Sequence, residues 1–307
     1  MSPQPDVRDR FRGALLGLAS GDAVGTSVEF RPRGSFAAVT DMTGGGPFRL
    51  EAGQWTDDTS MALCLGESLL RCGGFDPADQ MNRYCRWWRE GHWSSNGRCF
   101  DIGNTVRGAL GRFLETGDAF SGSTHPESAG NGSLMRLAPV PMFFAGRFDE
   151  AVRLAGESSR TTHGCDEAVG ACRVFAAWLL RALDGASKQE ILAPSGDGTG
   201  RSLAPAVAAI AAGGWRGKSE ADIRGSGYVV HSLEAAVWCF ADTGCFRDAV
   251  LRASNLGEDA DTTAAICGQL AGAFYGESGI PNAWREKLAL YARIQEMADE
   301  LREAGPV

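Results

Sequence analysis

Apolar residues return every three or four positions along most of this chain, a spacing that predicts helices nearly throughout. Val7, Phe11, Leu15 and Leu18 share one helical face, and Ile102, Val106, Leu110 and Phe113 share another. Val169, Val174, Ala177, Leu180 and Leu183 continue the pattern, followed by runs at 233–240 and 288–301. Alternating, strand-like stretches are short and few. Glycine and proline punctuate the connections, at Gly44-Gly45-Gly46-Pro47, Gly73-Gly74, 195–200 and Gly213-Gly214. With no tandem repeat, no low-complexity tract and no break into halves, the pattern predicts one all-α domain over residues 1–307.

Two sets of glycines fall at strict i, i+4 spacing: Gly13, Gly17, Gly21 and Gly25, and then Gly268, Gly272 and Gly276. A glycine inside a helix costs roughly 1 kcal/mol relative to alanine, so something must offset several of them. A glycine face that lets two backbones approach closely would do so. Arg10, Arg12, Asp22 and Glu29 interrupt the first segment, which excludes a membrane helix pair. The expectation is that these two helices cross tightly in the core and hold distant parts of the chain in register.

Thr56-Asp57-Asp58-Thr59 and Asp259-Ala260-Asp261-Thr262-Thr263 each open an apolar, helix-patterned stretch. Asp and Thr at such positions are ordinary helix caps, and a helix N-terminus favours carboxylates without any metal. One cap needs only one side chain, however, and each cluster has a surplus. Four carboxylates brought together would need cations between them, and oxygen-only ligands suit Mg²⁺ or Mn²⁺ rather than zinc.

The totals narrow the setting. The apolar fraction of 44% and charged fraction of 22% fit a water-soluble globular protein. A net charge of −8 and a pI near 5.1 argue against nucleic acid and acidic membranes as partners. The apolar run at 203–212 is too short to span a bilayer, and the first dozen residues carry no signal-peptide core. Nine cysteines without a CxxC pair read as reduced, buried thiols of a cytoplasmic protein, with a monomer as the default state. Four histidines are too few for a His-rich metal site. Tyr84, Trp87, Trp88 and Trp93 interleave with Arg83, Arg86, Arg89 and Arg98, but one local patch does not make a nucleic-acid surface.

Other candidates are individually weaker. Gly130-Asn131-Gly132-Ser133 precedes an apolar run, where backbone N–H groups at a helix N-terminus would hold a phosphate, or where an Asn-Gly turn serves alone. Asp101 precedes the helix predicted over 102–114, as an N-cap or as a general base. Glu29 ends the first helix, where a carboxylate opposes the helix dipole. His163 lies between two helices, and Tyr228 ends a Gly-Ser-Gly link and could stack or simply pack.

Taken together these motifs resemble the ADP-ribosylglycohydrolase family. The matching segments are 13–29 (GALLGLASGDAVGTSVE), 54–59 (QWTDDT), 101–105 (DIGNT), 130–136 (GNGSLMR), Thr162-His163 and 255–276 (NLGEDADTTAAICGQLAGAFYG). They occur in the family's order and span nearly the whole chain. The resemblance implies an orthogonal helical bundle with a cleft holding two divalent cations, Mg²⁺ or Mn²⁺. It implies Thr56, Asp57, Asp58, Asp259, Asp261 and Thr262 as ligands, with Glu29 near the metals and Asp101 near the scissile bond. Gly130, Asn131, Gly132 and Ser133 would hold the pyrophosphate, with His163 and Tyr228 toward the ADP part. The implied substrate is an ADP-ribosylated protein and the product ADP-ribose, with arginine favoured because an acidic Asp101 suits a cationic acceptor. A small-molecule conjugate as substrate, or a catalytically silent ADP-ribose binder, are the alternatives. Two departures stand out: Glu258 where many members have Gly, adding a charge beside the metals, and Leu134 where a smaller residue is common, narrowing the phosphate loop.

Overall fold

The structure, a computed structural model, describes residues 5–194, 200 and 202–305; of the glycine-rich connection at 195–200, all but Gly200 lies outside them. Among the described residues there are fourteen α-helices, short 3₁₀ turns and no strand, only three isolated bridges. In chain order they are α1 (Val7–Gly25), α2 (Asp57–Cys72), α3 (Pro77–Glu90), α4 (Asn104–Thr116) and α5 (Pro139–Phe143). Then come α6 (Phe148–Arg160), α7 (Asp166–Leu183), α8 (Lys188–Ile191), α9 (Pro205–Ala211) and α10 (Val229–Ala241). The last four are α11 (Phe246–Ser254), α12 (Ala260–Tyr275), α13 (Asn282–Lys287) and α14 (Tyr291–Ala304).

Local chemistry sets many of the boundaries. Asp6 accepts from the Asp9 amide to start α1, and Asp76 accepts from Ala78 and Asp79 to start α3, with Pro77 at its first position. Gly73, Gly91 and Gly117 end α2, α3 and α4 in the left-handed conformation that glycine adopts without strain. The apolar run at 288–301 is not one helix: Leu290 sits at φ 54°, so α14 begins only at Tyr291. Of the aromatic and arginine pattern near residue 90, all but Trp93 and Arg98 belongs to the amphipathic α3. Tyr84 and Trp87 are core residues, while Arg83 pairs with Glu67 and Asp79 at 2.6 Å each. All nine cysteines are free; six are buried, but Cys72 is exposed and Cys99 and Cys245 are half-buried.

The centre of the molecule is the antiparallel pair α1 and α12. Gly13 lies against Gly272 and Gly276, Gly17 against Gly268, Gly21 against Ala264 and Gly25 against Ala260. A methyl group at any of these four glycines, or at Gly268 or Gly272, would fall inside the contact distance of a backbone carbonyl oxygen. The expected close crossing is therefore present, and it continues over four turns. Buried Arg10 on α1 donates to the carbonyls of Ala182, Ala273 and Phe274, placing its charge at the C-terminal ends of α7 and α12. Arg8 and Arg12 both reach Asp299 on α14 at 2.6 Å, which closes the last helix onto the first. No helix of the described residues is long and apolar enough to cross a membrane.

The packing decides the sign of one substitution. In an open helix Gly268→Ala would stabilise by about 1 kcal/mol through propensity. Here it should instead destabilise by about 3 kcal/mol or more in urea unfolding, because overpacking against rigid backbone cannot relax. A raised denaturation midpoint would show that α1 and α12 are not in backbone contact.

Candidate functional site

The α1–α12 register places the C-terminal end of α1 beside the N-terminal end of α12, and α2 starts against both. Asp22, fully buried on α1, accepts from the amide and hydroxyl of Thr56 (2.8 and 3.0 Å) and of Thr59 (3.1 and 2.7 Å). The first turn of α2 is thus capped by a carboxylate from another helix. Thr56 makes no side-chain cap of its own, nor does Asp259 at the start of α12. The capping explanation of the two acidic clusters fails, and their carboxylates are left for something else.

Those carboxylates converge. Thr56 Oγ1 lies 3.2 Å from Asp58 Oδ2 and 3.4 Å from Asp261 Oδ2, and Thr262 Oγ1 lies 3.4 Å from the same Asp58 oxygen. Oxygens of Asp22, Asp58 and Asp261 fall within 4.8 Å of one another, and so do oxygens of Glu29, Asp101 and Asp261. Burial, then the charges of Asp101 and Asp259, pushes Glu29 up to about 9. Burial, then Asp259 and Asp22, pushes Asp101 up to about 8. Asp22 rises to about 6 through burial, held back by its hydrogen bonds from Thr59 and Thr56. Asp57, Asp58 and Asp261 are raised well above the usual range, first by burial and then by neighbouring carboxylates. Asp58 Oδ1 and Glu29 Oε2 are buried without any hydrogen-bond partner. An all-oxygen donor set with orphaned carboxylate oxygens is what hard divalent cations require, so this acidic cluster can hold metal.

A cavity of about 230 Å³ opens over the cluster. Of the residues singled out from sequence, Glu29, Asp57, Asp101, Gly130, Asn131, Gly132, His163, Asp259, Asp261 and Thr262 line it, while Thr56 and Asp58 lie wholly buried. Asn131 donates to Asp259 and to Ser232, both at 2.8 Å, which ties the glycine loop to the acidic cluster. Ser133 and Tyr228 are not part of the lining. Ser133 accepts from Ser159 and Cys172 in the core, and Tyr228 donates to Glu167 at 2.7 Å. Thr162 Oγ1 accepts from Arg136 at 2.7 Å and lies 2.8 Å from His163 Nδ1. Burial, then the charge of Arg136, lowers the His163 pKa to about 3, which leaves its ring neutral. Its ring supports Gly130 and Gly132 from behind, where side chains on those glycines would meet it.

Several local expectations change. The glycine loop does not open a helix: Asn131 O accepts from both Leu134 and Met135 in a single turn, and Pro139 and Pro141 restrict its continuation. Leu134 is fully buried and does not narrow the loop. Asp101 is no N-cap, since α4 starts after Gly103; it sits at φ 61° and belongs to the acidic cluster. Glu29 follows α1 by a 3₁₀ turn (Thr26–Val28) that carries it into the site. Glu258, at φ 59°, turns its carboxylate toward Arg224 at 3.3 Å. Asp22 and Arg136 were missed. The first stands alone among small and apolar residues of α1, and the second is fully buried at the end of the loop motif.

The sequence model of the ADP-ribosylglycohydrolase family matches residues 3–306. This chain belongs to the ADP-ribosylglycohydrolase family. It is 51% identical over 298 residues to an ADP-ribosylarginine hydrolase, Tri1, of Pseudomonas putida (strain GB-1), covering 97% of this chain and 79% of the relative. The ADP-ribosyl-[dinitrogen reductase] glycohydrolase of Rhodospirillum rubrum is 33% identical, with 92% of each chain covered. A solved structure described as an ADP-ribosylglycohydrolase-related protein complex superposes with a TM-score of 0.86 at 44% identity, covering 98% of this chain and 99% of that one. The all-α fold and the cleft are therefore those of an ADP-ribosylglycohydrolase.

The crowding has a consequence for this glycohydrolase. Raised carboxyl pKa values mean that the cation-free fold holds more protons than the unfolded chain, so its stability falls as pH rises from 6 to 8. A divalent cation displaces those protons and should add about 4–5 °C to the thermal midpoint at a hundredfold excess over Kd. With the cation held at one concentration, set from the Kd at pH 8, the gain should be larger at pH 8 than at pH 6 and lost in Asp261→Ala. A gain equal at both pH values would mean that the cation binds elsewhere.

Proposed function

We propose that this glycohydrolase removes ADP-ribose from arginine side chains of modified proteins, using two divalent cations, Mg²⁺ or Mn²⁺, in a single domain over residues 1–307. The observation that carries the reading is the convergence of seven carboxyl groups on one cleft, with Asp101 at its wall. Names of relatives support the acceptor: two are ADP-ribosylarginine hydrolases, at 51% and 44% identity.

Thr56, Asp57, Asp58, Asp259, Asp261 and Thr262 would hold the cations, with Glu29 and Asp22 beside them. When bound, such cations would supply Lewis-acid chemistry, polarising oxygens and lowering the pKa of a water. The remaining chemistry belongs to the chain. Hydrolysis puts the water's hydroxyl on the anomeric carbon and its other proton on the departing guanidine. Carboxylates around that carbon favour the positive charge it gains as the bond breaks. Asp101 orients the cationic guanidinium. Within the glycine loop the amides of Gly132 and Ser133 have no protein acceptor among the described residues, so they are available to the pyrophosphate. Ser133 then contributes its backbone, not its hydroxyl. His163 acts by holding Gly130 and Gly132 in place.

Release of ADP-ribose from an arginine-ADP-ribosylated protein, followed with Mg²⁺, with Mn²⁺ and with a chelator, tests this directly. Wild type should release from the arginine linkage and not from a serine linkage. Asp57→Ala and Asp261→Ala should each lower kcat by at least about a thousandfold, the scale of losing a preorganised electrostatic group. Release that persists in chelator, or from serine alone, would reject the reading.

A further inference from the structure

Phe30 is the most solvent-exposed of the large apolar residues described, at 64%, yet it lines the same cavity as Glu29 and Asp101. It is held there by its backbone. Phe30 adopts φ 61°, and its amide donates to Glu258 O at 2.7 Å while the Glu258 amide donates to Arg31 O at 2.8 Å. The ring is the outer member of a short aromatic row. Phe30 meets Phe48 edge-on at 6.4 Å, and Phe48 meets Phe100 at 5.2 Å. Both ends of that row are joined through the chain to site carboxylates, since Phe30 follows Glu29 and Phe100 precedes Asp101. The neighbouring guanidinium does not occupy the ring: Arg31 reaches back to Ser35 O at 2.7 Å and lies over Phe36.

Apart from its edge contact with Phe48, this left-handed phenylalanine leaves most of its ring surface in water. A planar cation beside carboxylates is the partner that such an edge suits, because a guanidinium stacks on an aromatic face while its N–H groups bond to acids. Resting on the arginine-hydrolase reading above, we infer that Phe30, backed by Phe48 and Phe100, is the acceptor side of the cleft and stacks on the guanidinium of the modified arginine. The row would then discriminate an arginine conjugate from a neutral one, alongside Asp101.

Phe30→Asn tests this, because asparagine tolerates a positive φ while removing the ring. Phe30→Leu separates aromatic stacking from plain apolar contact, and Phe30→Tyr serves as the conservative rescue. On an arginine-linked ADP-ribosyl peptide, Phe30→Asn and Phe30→Leu should each raise KM about five- to tenfold, the scale of one desolvated cation–π contact. The Kd for free ADP-ribose should not move, and Phe30→Tyr should restore the KM. An unchanged KM in Phe30→Asn overturns the assignment. So does a parallel loss of free ADP-ribose binding, which would place the ring against adenine or ribose. A wild-type chain that releases nothing from the arginine conjugate overturns the proposed function as well, whereas an active wild type with indifferent Phe30 variants overturns this inference alone.

Discussion

Backbone contact between α1 and α12 is the constraint on which the site depends. Asp22 and Asp261 are separated by most of the chain, and they meet because six glycines on two helices let the backbones of those helices touch. The arrangement sacrifices helix propensity, roughly 1 kcal/mol at each interior glycine. It is offset by close-packed dispersion along four turns and by Arg10, which satisfies carbonyls at the far end of the pair. Because the contact is backbone on backbone, its spacing has little freedom. The carboxylates carried at its other end inherit that rigidity, which is what a metal site needs.

The same rigidity brings a conflict. A fold optimised for stability alone would not bury Asp57, Asp58, Asp261 and Glu29 together, nor leave carboxylate oxygens of Asp58 and Glu29 without partners. Thr56 and Thr59 relieve Asp22, Asn131 relieves Asp259 and the Thr262 amide relieves one oxygen of Asp261, but no protein donor reaches Asp58 Oδ1 or Glu29 Oε2. Local consistency fails here and holds elsewhere, a pattern that marks function.

The helical content and the close crossing were legible because they repeat: an apolar period over many residues, and glycines every fourth position. The acidic clusters were legible because two Asp and two Thr exceed what one cap can use. Single residues without a repeat were harder. Asp22 reads in sequence as a polar interruption of an apolar helix, and only the third dimension shows that it caps α2. Asp101 in sequence is indistinguishable from an N-cap, since its left-handed backbone is invisible there. Ser133 and Leu134 were assigned to the cleft by their place in a motif. A one-turn loop sends successive side chains in different directions, and these two face the core. The end of the 288–301 run was missed for a related reason, because Leu290 departs from helix geometry without a glycine or proline to announce it.

Backbone strain is distributed unevenly around the cleft, and the distribution carries meaning. Six described residues other than glycine have positive φ, and Phe30, Asp101 and Glu258 belong to the wall beside the acidic cluster, with Arg49 following Phe48 in the aromatic row. The acidic N-terminal ends of α2 and α12, by contrast, have no such residue within the helices. Glu258 holds at φ 59° a conformation that glycine would adopt without strain. Its amide and carbonyl are both engaged by the 30–31 backbone, so the strain at 258 and at 30 is shared by one pair of hydrogen bonds. A regular helix could present the carboxylates of the floor. Phe30 and Asp101 reach the mouth of the cleft from the left-handed region, which residues other than glycine adopt uncommonly. The floor of the cleft is therefore built from secondary structure, and the wall carrying Phe30 and Asp101 is built from left-handed backbone that the rest of the fold holds in place.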